Sequence, residues 1–148
     1  MLIPKSFAIF FLMVLMTIVF FACGHDNTPE GVAEEFLFRY LIELNQQGAQ
    51  ELCTGLATVK LRKEIEDLRS VRMQPDLDLS GAKPFIDYKL KNQQQRPDKS
   101  VTFFYDVAIE SKGGYNSERQ FVLSTIAVEG KWRVNNFDTF SPDIPKPK

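Results

Sequence analysis

Near residue 85 the spacing of apolar residues changes from helical to alternating, and that change bounds what the chain can fold into. Before it, Val32, Phe36, Tyr40, Leu41 and Leu44 recur at intervals of three and four, the signature of one buried helix face. After it, Ile86, Tyr88 and Leu90 alternate with Asp87, Lys89 and Lys91, and Val101, Phe103, Tyr105, Val107 and Ile109 alternate with smaller or polar partners. Helices first and an antiparallel meander afterwards share one core only if the helices lie on one face of the sheet. The expected class is therefore α+β, with N-terminal helices packed on a curved antiparallel sheet of about four strands.

Local signals divide the helical half. Thr28 or Asn27 can cap a helix whose first turn holds Pro29 and Glu30. Gly48, after the polar Asn45-Gln46-Gln47 shoulder, is expected to end it. A short second helix is expected from Ala49 to about Cys53, broken at Thr54-Gly55. A third should run from about Thr58 to Arg72 with Val59 or Leu61, Ile65 and Leu68 inward. Its charged residues, including Lys60 and Glu64, read as a solvated face.

Residues 75–84 read as a loop, "NQQQRPDK" as the connection between the first two strands, and "KGGYNSE" as the turn into a third strand, Arg119 to Val128. The fourth, Lys131 to Phe137, follows Glu129-Gly130. A two-residue loop there would set Ala127 opposite Trp132. A three-residue loop would set Ile126 opposite Trp132 and Ser124 opposite Val134; it is preferred because Ile126 and Trp132 make the better cross-strand pair. Trp132 is then expected in the core.

The N-terminus carries a different instruction. Lys5 precedes Phe7 to Ala22, a run whose only polar member is Thr17, which is the layout of an export signal. A comfortable transmembrane helix needs about 20 apolar residues, and this run is a little short. Ala22, Cys23 and Gly24 resemble the cleavage box of a bacterial lipoprotein signal, although Phe20 and Phe21 stand where that box prefers Leu and a small residue. The resemblance implies cleavage after residue 22 and lipid on Cys23. A diacylglyceryl group with an added N-acyl chain holds a bilayer firmly, whereas one acyl chain binds only marginally. An uncleaved anchor or ordinary secretion are the alternatives, and all three place the remaining chain outside the cytoplasm. The expected organisation is a signal peptide 1–22, a tether 23–27, one domain 28–140 and a frayed tail 141–148. In a host with two membranes the expected address is the outer one, because Gly24 lacks the Asp that marks inner-membrane retention.

Several function classes are excluded on composition. Of 148 residues, 18 are basic and 19 acidic, and no basic stripe suits a nucleic acid. Two cysteines make no disulfide framework. Cys53, beside Leu52 and Leu56, reads as a buried thiol acting as a small hydrophobe. A bridge to Cys23 stays open only without lipidation. His25 lies on the tether, no Cys/His cluster supports zinc, and the acids lack calcium-loop spacing. No metal or other cofactor is implied.

"TPEGVAEEFLFRYLIELNQQGAQELC" resembles the opening of small exported lipoproteins with the nuclear-transport-factor-2-like, cystatin-like cone fold, and "VEGKWRVNNF" resembles their closing hairpin. The resemblance implies a cone with a cavity between sheet and helices, lined here by Tyr40, Tyr88, Tyr105 and Trp132. Such cavities serve isomerases and cyclases and also noncatalytic binding domains. A catalytic version would draw on Tyr40, Asp87, Tyr88, Tyr105 or Asp106. None has a second titratable group spaced to tune it, so a noncatalytic domain for a small apolar ligand or an envelope protein is expected. An isomerase, cyclase or hydrolase and a purely structural envelope component are the alternatives.

Overall fold

The computed structural model describes residues 26–72, 84–111 and 116–141. The expected export signal with Cys23 and His25, nearly all of the expected 75–84 loop and the tail from 142 lie outside the described residues.

Helix α1 (Pro29–Leu37) starts where its cap predicts, with the Gly31 N–H donating to the Thr28 hydroxyl at 3.0 Å. It buries Val32, Ala33, Phe36 and Leu37. It then widens into a π-helical turn, Phe38–Ile42, in which the Glu43 N–H reaches the Phe38 carbonyl at 2.9 Å. That wider turn, not Gly48, ends the helix. Leu44 follows in a left-handed conformation (φ 55) and is exposed, so it does not extend the buried stripe as its spacing suggested.

Helix α2 (Gln46–Gln50) begins three residues earlier than expected because Asn45 caps it, its side-chain oxygen accepting from Gly48 N–H at 2.9 Å. Gly48 therefore sits inside a helix. A Cβ there would stand 2.6 Å from the capping amide of Asn45, which is why the position takes no side chain. Helix α3 (Gly55–Arg72) likewise starts three residues early. Ala57 and Leu61 are its fully buried residues, whereas Val59 is 61% exposed. Lys60 and Glu64 leave the solvated face assigned to them. Lys60 donates to the Phe137 carbonyl at 2.7 Å and to Asp138, and Glu64 accepts from the Tyr40 hydroxyl.

The sheet runs β1-β2-β3-β4, all antiparallel, with β1 Phe85–Gln95, β2 Val101–Glu110, β3 Asn116–Val128 and β4 Lys131–Phe140. The amides Asn92 to Gln95, expected in a connection, continue β1 past a bulge at Lys91, and only Arg96 to Ser100 turn. The β3–β4 turn corrects the preferred register. Glu129 (φ 51) and Gly130 (φ 77) form a two-residue turn, and Ala127 faces Trp132. Two positive φ angles give a turn whose twist matches that of the strands. The extra residue appears inside β4 instead, where Asn135 bulges between the pairs Thr125/Val134 and Ser124/Asn136. Trp132, next to the turn in either register, is half-buried at the hairpin tip and packs against the core from outside it.

The helices stand over β3 and β4. The interior between them is filled by rings: Phe36 to Phe137 at 5.2 Å, Tyr40 to Phe137 at 5.3 Å, and Phe121 stacked on Phe137 at 5.8 Å. These rings pack α1 closely onto β3 and β4. The free edge of β4 is closed by the chain itself. Thr54 N–H donates to the Val134 carbonyl at 2.8 Å, Val134 N–H to the Leu52 carbonyl at 2.9 Å, and Lys60 takes the Phe137 carbonyl.

Candidate functional site

The four residues expected to line one pocket occupy three places. Tyr40 belongs to the aromatic core, its ring 5.5 Å from Phe36 and its hydroxyl 2.9 Å from a Glu64 oxygen. Burial, followed by the Glu64 carboxylate, holds that hydroxyl well above the ordinary tyrosine range. Trp132 sits at the β3–β4 tip, where its backbone N–H donates to the Asn27 side chain at 2.9 Å. Only Tyr88 and Tyr105 come together. They are close neighbours on the inner face of β1 and β2, in edge contact at 6.0 Å.

This tyrosine pair marks the part of the inner face that the helices leave least covered. Ile86, Tyr88, Leu90 and Ile109 are half-buried there, in contrast to the fully buried Phe121 and Leu123 of β3. Tyr105 is 1% exposed, yet its hydroxyl has no hydrogen-bond partner among the described residues. Burial raises the pKa of both phenols. Glu34 adds to it in each case, with Glu30 next for Tyr105 and Glu35 next for Tyr88. Both hydroxyls are thus kept neutral and can donate a hydrogen bond, but they are poor proton acceptors near neutral pH.

Asp87 and Asp106 point from the opposite face of the same strands, both exposed, with Asp106 paired to Lys91 at 3.2 Å. Neither strand carboxylate therefore shares the tyrosines' face, and Asp87 adds only the last of the effects that raise Tyr88. Sequence reasoning missed the acids that do approach: Glu30 and Glu34, one helical turn apart on α1, and Glu64 on α3. Their four-residue and helical spacing was visible, but nothing in the sequence told which strand each would face.

An open groove of about 290 Å³ lies elsewhere, between the Leu44–Gln47 turn and Ile65, Leu68 and Arg69 of α3. None of Tyr40, Tyr88, Tyr105 or Trp132 lines it. The tyrosine face, whose buried hydroxyl has no partner among the described residues, is the better binding candidate on chemistry, because the groove mixes three apolar side chains with three amides and Arg69 and holds no such buried polar group. Cys53 is a half-buried free thiol that donates to the Ala49 carbonyl at 3.3 Å, and burial pushes its pKa up to about 12. It is an inert packing thiol at neutral pH. Among the described residues no group of three His, Cys, Asp or Glu side chains could hold a metal ion. The chain matches no family model, no curated protein and no solved structure.

Proposed function

We propose that this chain is an exported, lipid-anchored domain, attached through Cys23, whose β1–β2 inner face binds a partner without catalysing a reaction. The observation that carries the binding half is the half-covered apolar face around Tyr88 and Tyr105. It offers rings, aliphatic side chains and one buried hydroxyl that lacks a partner among the described residues, which together suit an apolar ligand or the apolar side of an envelope protein. The apolar run Phe7 to Ala22 ending at Ala22-Cys23-Gly24 supports the anchored half. Close aromatic packing under α1, and tyrosines held neutral with no strand carboxylate on their face, support the noncatalytic reading.

Adjacent positions on β1 supply the test, because their side chains leave opposite faces of the sheet. A photoreactive amino acid at Tyr88 in the native envelope should capture a ligand or protein that the same group at Asp87 does not. Equal capture at 87 and 88, or none at 88, sinks the assignment of the binding face. Turnover of small hydrophobic substrates abolished by Asp87→Asn or Asp106→Asn, in a protein that still melts cooperatively, sinks the noncatalytic reading.

A further inference from the structure

The tether does not end at a loose helix start. The Asn27 side chain grips the β3–β4 turn from both sides of its amide, donating to the Gly130 carbonyl at 3.0 Å and accepting from the Trp132 N–H at 2.9 Å. This is the pairing an extra strand residue would make, and it fixes the point where the chain enters the domain. In a sheet of order β1-β2-β3-β4 with antiparallel neighbours, the Arg96–Ser100 turn lies at the same end as Glu129-Gly130. Arg96, Lys99 and Lys131 are all exposed at that end, together with the acids Asp26, Asp98 and Glu129.

From Cys23 to Asn27 the chain advances four residues, which reach at most about 14 Å when fully extended. We propose that the turn end of the sheet is the membrane-facing surface of this protein, held against the lipid headgroups by Asn27, with the opposite end directed away. The proposal rests on attachment at or just before Cys23, as in the proposed function. It holds equally for a lipidated cysteine and for an uncleaved anchor. Fully extended, the tether spans less than two screening lengths of about 8 Å at physiological ionic strength, and any slack in it brings the three cations within range of headgroup phosphates. At the other extreme, the 13 residues of β3 carry its start about 40 Å from that turn. The first helix also runs away from Asn27, which places the Leu44 groove about 20 Å along it. The start of β1 is then the part a soluble envelope component meets first, with the groove about midway.

Headgroup quenching on vesicles tests this in the full chain as extracted, in a Cys53→Ala background. A thiol-reactive dye is placed singly at Arg96→Cys or Lys131→Cys near the tether, at Gln47→Cys about midway and at Asp87→Cys at the far end; all four positions are exposed. The vesicles are phosphatidylethanolamine and phosphatidylglycerol with a share of headgroup-spin-labelled phosphatidylcholine. Dyes at 96 and 131 should lose most of their emission, while those at 47 and 87 keep most of theirs. Inserting 20 Gly/Ser residues after His25 gives the tether a typical reach of about 25 Å and should abolish the difference. Equal quenching at both ends before the insertion, or a difference that the insertion leaves intact, overturns the orientation while attachment stands. Protein that remains in the supernatant overturns attachment, and the orientation with it.

Discussion

Two tyrosines of the same interior should respond in opposite directions when each loses its hydroxyl. The Tyr40 hydroxyl donates to the Glu64 carboxylate at 2.9 Å. Bonds to charged groups contribute about 1.5–3 kcal/mol, and Glu64 is half-buried and can recover water, so Tyr40→Phe should cost about 1.5 kcal/mol. The Tyr105 hydroxyl is buried without a partner among the described residues, a state that costs about 1–3 kcal/mol in lost hydration. Tyr105→Phe removes that cost and opens only a small void, so a gain of about 1 kcal/mol is expected. For a domain of this size 1 kcal/mol moves the midpoint of thermal unfolding by about 4 °C, so the two variants should differ by about 10 °C. Chemical denaturation with matched slopes gives the free energies directly. A Tyr105→Phe variant less stable than wild type by 1 kcal/mol or more would mean that the hydroxyl has a partner, and the open binding face would lose its main polar feature.

Other expectations follow from the corrected geometry. Gly55 has φ +55, and a Cβ there would stand 2.5 Å from the Asn135 side chain, so Gly55→Ala should cost about 1–3 kcal/mol in the same denaturation assay. Phe36→Ala, at a fully buried position ringed by Tyr40, Phe121 and Phe137, should cost about 3–5 kcal/mol, and Trp132→Ala at the half-buried hairpin tip clearly less. The reverse order would place Trp132 in the core after all. Stability should also fall at alkaline pH. Cys53 is raised from an ordinary 9.0 to about 12, and Tyr40 and Tyr105 rise from 10.0, so their contributions are complete below about pH 9 and fade as pH climbs through the folded-state values. Unfolding free energies measured from pH 7 to 11 that increase above pH 9 would contradict this.

The class of fold was legible because period and order are local and additive: Val32 and Phe36 on one helical stripe, Phe103, Tyr105 and Val107 on one strand face. Ends and registers were not, because they depend on partners far along the chain. The Asn45 side chain takes the Gly48 N–H, so a residue that looks like a helix stop becomes part of the next helix. The β4 bulge at Asn135 faces Gly55, eighty residues earlier, and absorbs the extra residue expected in the turn. Lys60 and Glu64 looked solvated because their partners, the Phe137 carbonyl and Tyr40, come from other elements. The candidate site was half legible. Tyr88 and Tyr105 share a face by simple alternation, but Tyr40 and Trp132 separate from them only when the π-helical turn and the hairpin register are known.

The central claim is attachment at Cys23, since both the location of the domain and the direction it faces depend on it. Intact mass of the protein extracted from membranes of its native host measures this most directly. The account predicts a chain that lacks residues 1–22 and carries diacylglyceryl and acyl mass on Cys23, with Cys23→Ser accumulating as the unprocessed precursor. A chain that begins at Met1, or one cleaved but free of acyl mass, contradicts it.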